Sequence, residues 1–271
     1  MCSSAAIDMT MTAGVAEGAE KLIASAERNG GVMLAELSQA ELCALRGETL
    51  SLVCEPTTRW WVRLGTGKRR ELGHLALDLM AIRGLLRLPP GASAIGMYEA
   101  GQLSNEHLAP ELAIILAART SPRPLVSCQV PGLDDLNWCH PRFFGMTSPG
   151  HRLRVLLCEV LTQHPAGLLG QPTLGTILRY TLMTPERTAK MIACWATAVA
   201  AGRQLGGLPA TTLLAHGDQG TLDQERFQIE PGHGIFIVTR SGPDGRADPP
   251  VMLDEAGTIM ALGSALTRMA Q

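Results

Sequence analysis

ELGHLALDLMAIRGLLRLPP, residues 71–90, is the stretch that decides the fold. Its large aliphatic residues recur three or four positions apart, which is the spacing of one helix face: Leu72, Leu75, Leu79, Ile82 and Leu86. Gly84 stands where a helix end needs a positive φ, and Pro89-Pro90 prevents the helix from resuming. We therefore predict an amphipathic helix that buries this stripe against a hydrophobic core.

The composition is that of a packed globular protein. Of the 271 residues, 46% are hydrophobic and 18% are charged, and the formal net charge is −2. A charge this close to zero gives no overall attraction to nucleic acid or to an anionic membrane. No apolar run approaches the roughly 20 residues that cross a bilayer, and the first residues lack the features of a signal peptide. The sequence therefore predicts a cytoplasmic protein without membrane contact.

Other periodic runs extend an α+β pattern along the chain. We predict further helices over 15–28, 39–46, 105–118, 173–182, 185–201 and 255–269. We predict strands over 32–34, 50–54, 59–64, 125–130, 142–146, 153–161, 235–238 and 251–253, and a loop over 206–220. The fold class is α+β, with small antiparallel sheets packed against amphipathic helices. We expect a flexible N-terminus over 1–14 and a single body over 15–271, whose element order also allows two pseudo-symmetric halves, 15–165 and 166–271.

Cap residues mark where several of these elements begin and end. Ser38 and Glu41 have the spacing of a capping box, in which each side chain accepts a hydrogen bond from the other residue's backbone N–H. Thr184 precedes a proline and Asp254 precedes the last helix, so both are expected to be N-caps. Gly30 follows the first helix, where a left-handed residue ends it.

The residue types that could bind a metal or form a disulfide are scattered along the chain. The seven cysteines include no CxxC pair, and we interpret them as small buried apolar residues: Cys2, Cys43, Cys54, Cys128, Cys139, Cys158 and Cys194. His140 and His151 lie near Cys139, but a metal site needs three or four convergent ligands. Asp134-Asp135 is typical of a solvated turn. The sequence therefore predicts no metal site and no cofactor.

No stretch has the spacing of a catalytic motif. Residues 65–68, GTGK, lack the glycine spacing of a phosphate loop, and Arg69 stands where that loop needs a hydroxyl group. The chain has no G-x-S-x-G nucleophile elbow, and a catalytic triad is not recognisable from composition because its members are distant in sequence. We therefore assign no catalytic residue and prefer a non-enzymatic role, while enzyme activity stays an alternative.

A basic segment with two tryptophans is the most unusual local feature. Residues 57–70, TTRWWVRLGTGKRR, contain no acidic residue. Its candidate binding residues form what we name the basic patch: Arg59, Trp60, Trp61, Arg63, Lys68, Arg69 and Arg70. On a hairpin, such residues contact phosphates while an indole stacks on a base, as in a winged-helix nucleic-acid-binding protein. We prefer a structural hairpin in which one tryptophan anchors the core and the tip is charged.

Several motifs occur in an order that is similar to that of a known family. They are LSQAELCAL at 37–45, RELGHLALDLMAIRGLL at 70–86 and LAPELAIILAAR at 108–119, followed by a three-strand meander and a closing hairpin with a helix. This layout resembles that of the EspG-type chaperones of type VII secretion. Members commonly show an L-S/T-x-x-E-L helix start and a later R-E…L…L…RGL helix. The similarity covers most of the chain.

The resemblance implies a cytosolic α+β chaperone of two quasi-symmetric halves. Such a chaperone binds the helical tip of a secreted PE–PPE heterodimer and keeps that apolar surface soluble, which needs a complementary groove and no nucleophile. The double-tryptophan segment is not a feature of the family, and no binding residue is carried over. Our first hypothesis is a protein-binding module with a helical secreted partner, and the alternatives are a nucleic-acid-binding protein and an enzyme. The oligomeric state is left open.

Overall fold

The computed structural model describes residues 13–46, 60–120, 125–129, 141–147, 153–163, 177–202, 211–216, 222–232, 234–242 and 244–269. The helices in these ranges are α1 (Ala13–Asn29), α2 (Gln39–Arg46), α3 (Thr66–Ile82), α4 (Ala94–Glu99), the 3-10 helix η1 (Asn105–His107), α5 (Pro110–Thr120), α6 (Pro185–Gly202) and α7 (Glu255–Met269). The strands are β1 (Gly31–Ser38), β2 (Leu125–Gln129), β3 (Arg142–Thr147), β4 (Leu153–Gln163), β5 (Ile177–Met183), β6 (Thr211–His216), β7 (Leu222–Pro231), β8 (Phe236–Ser241) and β9 (Val251–Leu253). Every strand pair whose register is described is antiparallel, and the predicted α+β class is confirmed.

The chain divides into two compact units, and each is built from segments that are distant in sequence. The first unit takes its described residues from 1–24, 33–121 and 161–180. The second unit takes its described residues from 25–32, 122–160 and 181–271. Each unit therefore draws on both of the sequence halves, 15–165 and 166–271.

Helix α3 is central to the first unit. It packs against α2 and α4, and aliphatic side chains dominate the buried residues of these helices and of α5: Leu42, Leu45, Leu72, Leu77, Met80, Leu112 and Ile115. Helix α1 comes very close to α5, because a Cβ atom on Gly18 would lie 2.4 Å from Cγ of Pro110. Glycine is therefore required at that position of α1.

The second unit is a sheet covered by two helices. Its strand order is β4-β3-β2-β6-β7-β8-β9. Helices α6 and α7 pack against each other and share one hydrophobic core with the strands, which includes Val126, Phe143, Leu156, Ile192, Phe227, Leu262 and Leu266. Burial of these apolar side chains is the main force that holds the unit together.

Several predicted elements of the second unit are confirmed. Strands β2, β3 and β4 form the expected meander, with Val126 opposite Phe143 and Phe143 opposite Cys158. The closing hairpin pairs β8 with β9 and leads into α7. The Asp254 side chain accepts a hydrogen bond from the Gly257 N–H at 2.7 Å, so this residue is the predicted N-cap.

Three predicted elements are wrong. Residues 60–63 form a helical turn and not a strand. The predicted helix over 173–182 is replaced, over 177–183, by strand β5, in which Leu178, Tyr180 and Leu182 alternate with less buried residues. The predicted loop over 206–220 contains β6, which pairs with both β2 and β7. The predicted strand over 50–54 lies outside the described residues.

The predicted buried stripe of α3 is only partly right, because Leu72 and Leu86 are buried and Leu79 is half-buried, whereas Leu75 and Ile82 are exposed. The helix begins at Thr66 and buries Leu72, Gly73, Ala76, Leu77 and Met80. Its small residues allow close packing: a Cβ atom on Gly73 would lie 3.8 Å from the Trp61 ring. The helix therefore turns this side to the core, while Leu75 and Ile82 of the predicted stripe lie outside.

Candidate functional site

The basic patch has a different structure from the predicted hairpin. Trp60 and Trp61 lie in a helical turn in which the Leu64 N–H donates to the Trp61 carbonyl at 3.1 Å. Trp61 is buried and Trp60 is half-buried, with their ring centroids 6.0 Å apart. Arg59 lies outside the described residues. The turn therefore anchors one indole in the first unit, as predicted, but on helical backbone.

Acidic residues beyond the patch neutralise two of its cations. Lys68 Nζ lies 3.0 Å from both carboxylate oxygens of Glu71, one turn further along α3. Arg70 Nη2 donates to Glu99 Oε1 at 2.6 Å, and this hydrogen bond lowers the pKa of Glu99. The first partner follows from an i,i+3 spacing, but Glu99 is brought near by the fold and gives no signal in the sequence. The patch is less cationic than its sequence suggests.

An exposed apolar stripe runs along the outer side of α3, and we name it the α3 outer stripe: Leu75, Leu79 and Ile82. Ile82 is 80% exposed and Leu75 is 38% exposed, while Leu79 is half-buried. The residues are spaced by four and then three positions, which is the spacing of the contact seam between paired helices. Exposed Glu71 and Asp78 lie beside this stripe, so the solvent side of α3 combines apolar and acidic residues.

The C-terminal end of α3 is held by the capping box that precedes α2. Glu41 Oε2 accepts hydrogen bonds from the Ser38 N–H at 2.7 Å and from Ser38 Oγ at 2.9 Å, and Ser38 Oγ accepts one from the Glu41 N–H at 3.3 Å. The other carboxylate oxygen of Glu41 pairs with Arg83 Nη2, while Arg83 Nη1 donates to the Glu36 carbonyl at 2.8 Å. We name this arrangement the Ser38–Glu41–Arg83 cluster. It confirms the predicted capping box.

The residues just after α3 attach the end of this helix to a third segment, residues 108–109. Gly84 has the predicted positive φ of 72°, and the Leu85 N–H donates to the Met80 carbonyl at 2.9 Å. The Ala109 N–H then donates to the Leu85 carbonyl at 2.9 Å, and Leu86 forms a β-bridge with Leu108. Of the three motifs that carry the family resemblance, the second therefore contacts both the first and the third. Sequence spacing gave no indication of these contacts.

A second apolar surface lies in the second unit, between the start of α6 and the outer side of α7. It borders an open groove of about 600 Å³ that is lined by residues including Pro185, Glu186, Ile259, Met260, Gly263 and Thr267. Met260 is 74% exposed. The helical spacing of the apolar residues predicts the buried side of α7 and gives no signal for this outer side.

Three of the four described cysteines are buried away from reagents in solution. Burial raises the pKa of the Cys128 and Cys158 thiols to about 12, so both stay protonated at neutral pH. Cys43 is also buried, whereas Cys194 is exposed, which corrects the expectation that all cysteines are buried. Within the described residues, no group of three or more His, Cys, Asp and Glu side chains could hold a metal ion.

One serine and one histidine do meet, in a local cap. Ser104 Oγ lies 3.0 Å from His107 Nδ1, which also accepts a hydrogen bond from the Ser104 N–H. This reciprocal pairing is the capping box of η1. Because the imidazole nitrogen accepts from the backbone of its own turn, the pair serves to start η1.

Alkylation of the native protein should distinguish these cysteines. At mildly alkaline pH we expect iodoacetamide to modify Cys194, because its thiol is exposed, and to leave Cys43, Cys128 and Cys158 unmodified. Peptide mass spectrometry reads each site separately. Unfolding in denaturant is the control and should make all of them reactive. Modification of Cys128 before Cys194 would contradict the burial described here.

Comparison with known proteins adds no assignment. No family model, curated protein or solved structure matches this chain. Among the described helices, none combines the length and apolar character needed to cross a membrane.

Proposed function

We propose that the protein is a non-enzymatic protein-binding module whose α3 outer stripe packs against an amphipathic helix of a partner. The single observation that carries this proposal is the exposure of Leu75 and Ile82 on a helix whose opposite side is already buried. Full burial of a leucine or isoleucine side chain stabilises by about 1.5 to 3 kcal/mol. A partner helix that covers both residues would gain much of this free energy.

The rigidity of α3 supports the same proposal. The Ser38–Glu41–Arg83 cluster and the Leu86–Leu108 bridge attach the end of the helix just after Ile82. A binding surface that is already ordered loses little conformational entropy when the partner arrives. The partner chemistry is set by the spacing of the stripe, since intervals of four and three residues fit the contact seam of a second helix.

The more specific proposal is a cytosolic chaperone of the type VII secretion kind, with the helical tip of a PE–PPE heterodimer as the ligand. Its support is the family-like order of the three motifs, which in this chain adjoin the α3 outer stripe. Covering an apolar helix until secretion needs an exposed apolar surface and no reacting group. The nucleic-acid alternative has less support, because Lys68 and Arg70 already pair with carboxylates.

Substitution on the stripe tests the proposal. We expect Ile82→Glu to weaken binding of a PE–PPE heterodimer from the native host by at least about tenfold, because a buried carboxylate replaces an apolar contact. Co-purification and titration calorimetry would measure the effect, and circular dichroism would check the fold. Val251→Glu is the control, since Val251 is a β-branched residue that is 52% exposed but lies in β9; binding by this variant should be unchanged.

Three results would contradict the proposal in different ways. Failure of the wild-type protein to bind any PE–PPE heterodimer of its host would exclude the secretion chaperone. Equal binding by Ile82→Glu and wild type would exclude the α3 outer stripe as the contact surface. Nucleic acid that co-purifies with the wild type and is released by modest salt would favour the basic patch as the binding site.

A further inference from the structure

Two carboxylates lie among the apolar residues on the solvent side of α3. Glu71 and Asp78 alternate there with Leu75 and Ile82, and all four residues are exposed. They are spaced by four, three and four positions, so they form one row on the helix surface. A partner helix that covers both Leu75 and Ile82 must therefore also cover the residue of the row that lies between them, which is Asp78.

The two carboxylates differ in how their charge is compensated. Glu71 Oε2 lies 3.0 Å from Lys68 Nζ, so a residue of the same helix already balances its charge. Within the described part of the chain, Asp78 takes part in no ion pair. His74, four positions earlier on α3, has the spacing of a partner, but its Nε2 lies 3.3 Å from Glu99 Oε1. In the described structure, the charge of Asp78 is therefore balanced by solvent.

Binding of a helix at the α3 outer stripe would remove that solvent. A carboxylate that loses its water without gaining a cation opposes binding, whereas a lysine or arginine of the partner compensates the charge. An acidic partner residue at the same place would add repulsion between like charges. Because the aspartate side chain is short and lies between two contact residues, a helix that makes both contacts also takes water from this carboxylate.

We propose that Asp78 makes the α3 outer stripe specific for a partner helix that carries a basic residue between its apolar contact residues. This inference rests on the proposed function of the stripe and adds the charge that the partner must supply. Leu75 and Ile82 provide the affinity by burying apolar surface of the partner. Asp78 pairs with the partner's lysine or arginine in the middle of the contact and so sets which amphipathic helices bind.

Two synthetic helical peptides test this specificity. Both present leucine side chains at the spacing of the stripe, and they differ only in the residue at the centre of the apolar face, which is lysine in one peptide and glutamate in the other. We expect the full chain to bind the lysine peptide at least about tenfold more tightly, measured by fluorescence anisotropy. Asp78→Asn should remove most of this preference, and Asp78→Lys should reverse it.

Two further variants separate specificity from net charge and from apolar affinity. Glu186→Lys changes the net charge of the chain by the same amount as Asp78→Lys, but Glu186 is exposed on α6 in the second unit, so the preference should be unchanged. Ile82→Ala should weaken binding of both peptides by a similar factor, because it removes an apolar contact that they share. All the substituted residues are exposed, so the fold should be intact, as circular dichroism would verify.

The possible results separate this inference from the proposed function. Equal binding of the two peptides by the wild type, weakened in Ile82→Ala, would overturn the charge selection and leave the stripe as a helix-binding surface. A preference that persists in Asp78→Asn would also overturn it, because another group would then be responsible. Binding of neither peptide would overturn both the charge selection and the assignment of the stripe to helix binding.

Discussion

Replacing Glu41 with alanine should lower the free energy of unfolding by about 3 kcal/mol, one of the two largest effects that we expect from a single substitution. The Glu41 side chain is only 4% exposed, and its carboxylate accepts from the Ser38 N–H, from Ser38 Oγ and from Arg83. Alanine leaves these donors without their acceptor, and the two donors of Ser38 are buried. Chemical denaturation followed by circular dichroism would measure the loss.

Two further variants show whether burial is the cause. Arg83→Ala leaves the Glu41 carboxylate, which is 4% exposed, with its two Ser38 donors but without its cation, so it should cost about 2 kcal/mol, less than Glu41→Ala. Glu71→Ala removes a carboxylate from an exposed ion pair with Lys68 and should change stability very little. If Glu41→Ala lost no more than Glu71→Ala, the capping box would not be holding α2 and α3 together.

Loss of Glu159 should be similarly damaging to the second unit. Arg142 on β3 and Glu159 on β4 are cross-strand partners, their side chains are 11% and 3% exposed, and Arg142 Nη1 donates to Glu159 Oε1 at 2.9 Å. Glu159→Ala leaves a buried guanidinium without this carboxylate. We expect a loss of about 3 to 5 kcal/mol, measured as a lower midpoint of denaturation at an unchanged slope.

The control replaces both partners. A double variant with Arg142→Met and Glu159→Leu removes the charges together and keeps similar apolar volume. It should therefore be more stable than Glu159→Ala alone, because neither side chain is left as an isolated buried charge. If the double variant were instead the less stable of the two, the pair would contribute more than mutual charge compensation.

The helix ends and their caps are predictable from sequence because their chemistry is local. The Ser38–Glu41 capping box, the positive φ of Gly84 and the Asp254 cap depend on residues within three or four positions of each other. The hairpin of β8 and β9 also depends on residues that are close together in sequence. Short-range hydrogen bonding fixes these features before distant parts of the chain meet.

The errors arose where distant contacts decide between local alternatives. Residues 71–86 contain enough apolar positions for two helix faces, and spacing alone does not tell which of them meets the core. The face that includes Leu72, Gly73 and Leu77 packs inward, and Ile82 is left outside. Strand β5 was likewise read as helix, because its alternation is short and its pairing partners lie far away in sequence.

The candidate site was only partly visible in advance. The sequence indicates the basic patch as a candidate site, but the Glu99 partner of Arg70 is supplied by tertiary structure. The α3 outer stripe was recognised as apolar and assigned to the interior. A surface that binds proteins uses the same side chains as a core, so periodicity cannot separate the two.

Arg83 also affects how the molecule resists aggregation. Strand β1 has one hydrogen-bonded neighbour among the described strands, β5, so its other margin is of the kind that recruits foreign strands into fibrils. The Arg83 guanidinium donates a hydrogen bond to the Glu36 carbonyl and so places a cation beside that edge of β1. A strand that paired at this carbonyl would have to displace the guanidinium, so Arg83 blocks this point of the β1 edge as well as supporting α3.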